Sequence, residues 1–263
     1  MDVQSTAVRK GGRSVSSSNI LRIPARTDVE RVLQSFNTWA FKREQPTSPE
    51  LLAKFVERAV LKAEPLSFVL YWGKGPRSTV EHYEEQCLDF LASMAARVSA
   101  TYKPGVAMKL VLTDTHARHN GHPQAEISRY FEAVAAAAAH RNFRAYLLGD
   151  LCNAAAPHVV VPPGADPSEE TMRQLYRSAN RWFRGQGSPE EGARRYFELN
   201  MIEREVIEYF FPSSVFVTFN GSEQRPLFPR NLPIFYMYSL KRGTAVKPWF
   251  LPDPNNQDVK LAG

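Results

Sequence analysis

Apolar positions recur along this chain with two different periods, and the change from one to the other marks out its elements. Over residues 28–44, DVERVLQSFNTWAFKRE, Val29, Val32, Leu33, Phe36, Trp39 and Ala40 fall at helical spacing, and Asp28 can cap the first turn. Residues 48–63 repeat the pattern, with Ser48 as N-cap, Pro49 at the first helical position and Leu51, Leu52, Phe55, Val56 and Val60 on one stripe. Residues 65–72, PLSFVLYW, form a short continuous apolar run that reads as a strand, ended by GKGPRS. A long amphipathic helix is predicted over 80–102, with Tyr83, Cys87, Leu88, Leu91, Met94, Ala95 and Val98 on one side. Pro104-Gly105 then turns the chain into a second buried strand, VAMKLVL. Residues 125–142 read as helix and 143–151, FRAYLLGDL, as a third strand.

The second half begins with a short apolar run and a Pro/Gly loop, APHVVVPPGADPSEE. Two helices follow over 168–186 and 188–211; the later one opens with Ser188-Pro189 and acids in its first turn. SSVFVTFN and LPIFYMYSL read as strands joined by the polar loop GSEQRPLFPRN, and no internal repeat is visible. Strands separated by helices predict an α/β, Rossmann-like domain over residues 27–250, with a mostly parallel sheet and helices on both faces. Residues 251–263 are left as a C-terminal tail.

Charge changes this picture little. The net charge is +6. Residues 1–26 hold Arg9, Lys10, Arg13, Arg22 and Arg26 against Asp2, a net +4, which leaves +2 for the rest. The basic character therefore sits mainly in a Ser/Gly-rich segment expected to be a disordered tail, which weakens the case for a basic nucleic-acid-binding face. No run of 18 apolar residues exists, so no membrane span is expected, and the N-terminal basic residues precede no apolar secretory core. Cys87 and Cys152 show no pairing pattern and read as buried thiols of a cytoplasmic protein.

The chemistry gathers at strand tips, where open α/β sheets bind ligands. The first strand delivers Gly73, Lys74, Gly75, Arg77 and Ser78. Two glycines let backbone approach a ligand, and Lys74 and Arg77 can face an anion, although the spacing is not that of a P-loop. The second strand delivers Asp114, His116, Arg118, His119, Asn120 and His122 in TDTHARHNGH. Asp114 is expected to orient substrate or accept a proton, with His116 or His119 as its partner; a turn cap is the plain alternative. The histidines at 116, 119 and 122 lack the spacing of a zinc helix, and neither a metal nor another cofactor is expected. Tyr196 and Glu203 lie seven apart on one helix face and can both point into a site. The plain alternative is that Glu198, Glu203 and Arg204 on this helix are all solvated surface charges. Asn220, Ser222 and Arg225 follow a later strand, where Arg225 can clamp a carboxylate. Pro248-Trp249-Phe250 can close a pocket or simply pack.

Two families share parts of this layout. FVLYWGKGPR, then YKPGVAMKLVLTDTHAR, then FFPSSVFVTFNGSEQR and a late KPWF run in order over residues 32–250. This order resembles the isonitrile synthases of the pyoverdine/dityrosine biosynthesis group, whose PFK, DGR and PWH stand here as WGKG, DTHAR and PWF. The resemblance implies a Rossmann-like fold and condensation of an amino acid's amine with a pentulose phosphate, without a metal. It implies roles for Lys74 as the loop lysine and for Asp114 with Arg118. TDTHARHN also resembles the D-x-H-A-x-x-N stretch of tyrosyl- and tryptophanyl-tRNA synthetases, whose fold the cyclodipeptide synthases share. That resemblance implies charged tRNA as partner, with Tyr196 and Glu203 in aminoacyl transfer and Ser78 as the nearest serine. A non-catalytic partner protein is the third reading. The amino acid and the oligomeric state are not fixed by the sequence.

Overall fold

The computed structural model describes residues 26–73, 75–159 and 167–237. The basic segment 1–25, Lys74, Pro248-Trp249-Phe250 and the tail 251–263 lie outside the described residues. Five strands, β1 (Leu66–Trp72), β2 (Val106–Leu112), β3 (Arg144–Leu147), β4 (Val215–Thr218) and β5 (Ile234–Tyr236), form one sheet in the order β3-β2-β1-β4-β5. Every pairing is parallel, with Leu66 to Trp72 of β1 matched to Val106 to Leu112 of β2. The expected Rossmann-like α/β class is therefore what the chain forms.

Period-2 geometry explains why both faces are covered. Leu66, Phe68, Leu70 and Trp72 of β1 enter one apolar cluster, whereas Val69 packs with Val111, Phe216 and Ile234 in the other. The first cluster is closed by α1 (Arg26–Phe36), α2 (Pro49–Lys62), α3 (His82–Ser99) and α5 (Gln124–Ala139). The second is closed by α6 (Leu148–Ala155), α7 (Glu169–Trp182) and α8 (Pro189–Phe210). Short α4 (Asp114–His119) sits directly after β2. Among the described residues, no helix is long and apolar enough to cross a membrane.

Several local expectations are corrected. The first helix stops at Phe36 rather than running to 44, and Trp39 is 71% exposed instead of joining the stripe. Ser48 occupies the cap position of α2, but its backbone is left-handed (φ 55) and its side chain makes no capping bond. Ser188 does cap α8, in a reciprocal pair with Glu191. The third strand ends at Leu147, because LGDL turns directly into α6. The loop after β4 contains a 3₁₀ turn, Ser222–Leu227. Cys87 is buried as expected, but Cys152 is only half-buried.

Candidate active site

Strand order reverses beside β1, so the crevice over the C-terminal ends of β1 and β4 is where an open sheet of this kind leaves room for a ligand. It is lined by Tyr71 and Gly73 of the β1 end, Thr113 and His116 after β2, Tyr196 and Asn200 of α8, and Thr218, Asn220 and Gln224 after β4. Gly73 adopts φ 77, a left-handed backbone that bends the chain away from the strand and favours glycine.

The DTHARH stretch is helical, and this settles where its side chains go. His116 is 2% exposed. Its Nε2 lies 2.6 Å from Oε2 of Glu203, which is itself fully buried on α8. Thr115 donates its hydroxyl to the other Glu203 oxygen at 2.6 Å. With Glu203 as carboxylate, Nε2 carries a proton and Nδ1 is the basic nitrogen; the Tyr196 hydroxyl stands 3.5 Å from Nδ1. A carboxylate that fixes one imidazole nitrogen and leaves the other to exchange a proton is the arrangement used in general acid–base catalysis. Tyr196 and Glu203, one face of one helix in the sequence, thus both meet His116.

Tyr71 completes the floor. Its hydroxyl is shut off from solvent and makes no hydrogen bond among the described residues. Burial, then the nearby Glu203 charge, holds this phenol protonated well above its usual range. Cys152 is likewise pushed up to about 12, by burial first and then by Glu203 and Asp114, so it stays a thiol at neutral pH.

Asp114 has different partners from those expected. Its carboxylate accepts from Arg118 Nη2 at 2.8 Å and from the Gly149 N–H, in the first turn of α6, at 2.9 Å. Neither His116 nor His119 is its partner. A Cβ at Gly149 would stand 2.5 Å from Arg118 Nη2 and 2.7 Å from Asp114 Oδ2, so glycine permits the contact. The arrangement ties α4 to α6, with Asp114 4% exposed. Arg225 is also committed elsewhere: it donates to the carbonyls of Phe228, Pro229 and Arg230 and braces its own loop. Ser78 is exposed. Glu198 is exposed as expected, but Arg204 is buried beside Glu205, contrary to its reading as a surface charge.

A second cavity of about 410 Å³ adjoins α4, α7 and α8. Gly75, Arg77, His119, Asn120 and His122 line it together with Arg181 and Arg184 of the α7 end, and Tyr196 lines both this cavity and the crevice. His119 packs between Phe183 and Tyr196, with ring centroids 5.1 and 5.8 Å away. Arg77 is anchored from behind by Glu81 at 2.5 Å and by fully buried Glu84 at 3.9 Å, which also accepts from the Tyr130 hydroxyl and the Glu81 N–H. Sequence reasoning missed Tyr71, Thr115, Glu84, Tyr130 and the α7 arginines. Only Glu84 left a trace there, three residues into the helix after Glu81.

His116 lines the crevice whereas His119 and His122 line the second cavity, and among the described residues no group of three or more His, Cys, Asp or Glu is placed to hold a metal ion. No protein-family model and no curated protein matches the chain. Among solved structures, PvcA from Pseudomonas aeruginosa is similar, at 17% identity over 80% of this chain and 83% of that one, with a TM-score of 0.58. Tyrosyl-tRNA synthetase complexed with L-tyrosine from Archaeoglobus fulgidus matches 80% of this chain and 63% of its own at 14% identity, TM-score 0.41. The likeness to PvcA is one of fold, and it agrees with the resemblance read from the sequence.

Proposed function

We propose that the chain is an enzyme of specialised metabolism that acts on an amino acid, joining its amine to a pentulose phosphate as the isonitrile synthases do. The observation that carries this reading is the buried Glu203–His116 pair, with the Tyr196 hydroxyl 3.5 Å from the imidazole, at the point where strand order reverses. An amino acid's ammonium group has no lone pair. It must lose a proton before it can attack a ketone carbon. His116 Nδ1 takes that proton, with Glu203 stabilising the imidazolium. The C–N bond forms as the C–O bonds break, and the oxygen leaves as water with one proton returned by the imidazolium and one given up by the attacking nitrogen, which leaves a protonated imine. The crevice itself has room for little more than a water molecule, about 30 Å³, so it suits the reacting end of a substrate. The larger adjoining cavity suits the remainder. Support comes also from the ordered motifs and from the PvcA-like fold.

Untargeted mass spectrometry of bacterial cultures producing the protein, against cultures producing His116→Ala, tests the reading. A new product with the mass of an amino acid carrying one extra carbon in place of its amine hydrogens supports it. A product with the mass of two amino acids less two waters replaces it with cyclodipeptide synthesis from charged tRNA. Identical spectra from the two cultures would favour a non-catalytic partner.

A further inference from the structure

The second cavity differs from the rest of the surface in its charge. Arg77, Arg181 and Arg184 line it with His119 and His122, and no Asp or Glu is among its lining residues. The neighbouring groove of α7 and α8, by contrast, mixes Arg173 and Arg194 with Glu169, Glu190 and Glu191. Arg181 and Arg184 bring positive charge to this cavity, while the charge of Arg77 is already met from behind by Glu81 and Glu84. The Arg77 side chain is 7% exposed, yet its Nη2 has no hydrogen-bond partner among the described residues. An anion accepting from Nη2 would satisfy this buried donor.

The cavity is also built, not incidental. Asn120 accepts from the Arg184 N–H at 3.2 Å, and a Cβ at Gly121 would stand 2.7 Å from the Arg184 carbonyl oxygen. Gly121 (φ 87) thereby lets the α4 end and the α7 end close on each other. Arg184 donates to the carbonyls of Phe183 and Arg181, which fixes its guanidinium at that rim. Leu175, Ala179, Trp182, Phe183 and Ala193 also line the cavity, with Arg181 lying 4.7 Å from the Trp182 ring centroid, and this apolar part suits a carbon skeleton.

We propose that this cavity is the seat of a phosphate monoester, its phosphate held by Arg77, Arg181 and Arg184 with His119 and His122 as further donors. A phosphate carries up to two charges and three terminal oxygens, which matches several guanidinium forks better than a carboxylate does. The proposal rests on the reading above for the ligand's place in a reaction, since it seats the phosphate of the second substrate next to Tyr196. The seat itself is argued from the cavity.

Isothermal titration of the full chain with inorganic phosphate and with ribulose 5-phosphate tests it. Arg181→Ala/Arg184→Ala is expected to weaken binding of both at least about tenfold, the loss of roughly one charge-assisted hydrogen bond. Arg173→Ala, on the same helix but outside the cavity, is expected to bind like the parent. Arg181→Glu, which leaves the two Arg184 bonds in place, is expected to weaken binding too and guards against a folding defect in the double variant. Undiminished binding in both variants, or no binding of either probe at millimolar concentration, would overturn the proposal. Arginine-dependent binding of inorganic phosphate without binding of ribulose 5-phosphate would keep the seat and remove the pentulose from the function. Product formation with undiminished binding in the variants would do the reverse.

Discussion

His116 and Glu203 stand 87 residues apart in the chain and 2.6 Å apart in the fold, and both are buried. Burial raises the energetic weight of such a pair, because each partner leaves the other without water to turn to if it is removed. Glu203→Gln preserves shape and hydrogen-bonding capacity but removes the charge that stabilises an imidazolium. Turnover is expected to fall about 100-fold or more, while circular dichroism stays that of the parent. Glu203→Ala is expected to lose stability as well, since it strands both Thr115 and His116.

Tyr71→Phe should behave in the opposite sense on stability. The deleted hydroxyl is buried and has no hydrogen-bond partner among the described residues, so its removal is expected to leave stability unchanged or raise it by up to about 1 kcal/mol, seen as an unchanged or higher melting temperature. Tyr71 lines the crevice, so substrate affinity is expected to drop. Thermal melts and KM measured on one preparation check both halves. A lower melting temperature would mean that the hydroxyl has a structural partner.

Asp114 and Gly149 form a structural unit in this account. Asp114→Asn is expected to cost about 1–3 kcal/mol through loss of the charge that pairs with Arg118, while its amide oxygen still accepts from the Gly149 N–H. Gly149→Ala is expected to destabilise by a similar amount, because its methyl would displace Arg118 and Asp114. Urea unfolding of the two variants and of the double variant is expected to show less-than-additive losses, as residues of one contact do.

Acid should loosen the fold through the cavity histidines. Burial is the main reason that His119 and His122 hold their protons less tightly than the usual 6.5. Between their native values and 6.5 the unfolded chain binds more protons than the folded one. Stability from this source is therefore complete above about 6.5 and is lost as the pH falls through that window. Melting temperature against pH is expected to show the decline, and His119→Gln/His122→Gln is expected to flatten it.

Much of this was legible in the chain. The continuous apolar run of β1 and the alternation of strands with helices predicted the parallel sheet, and the seven-residue spacing of Tyr196 and Glu203 put both on one face of α8, which the fold turns toward His116. The rest depended on what lies next to what. TDTHARH reads as a polar loop until α4 forms, which turns His116 toward α8 and Asp114 toward α6. Arg225 looks like a ligand clamp from its place after a strand, and only the fold shows that three carbonyls of its own loop occupy it. The α7 arginines follow no strand, so no pattern along the chain connects them with Arg77.

The central claim is that the His116–Glu203 pair moves protons for chemistry on an amino acid's amine. The most direct measurement incubates the purified chain with mixed amino acids and ribulose 5-phosphate and follows product by mass spectrometry, comparing the parent with Glu203→Gln. The account predicts a one-carbon-enriched amino-acid product from the parent and almost none from a Glu203→Gln protein that is equally folded. Equal product from both would contradict it.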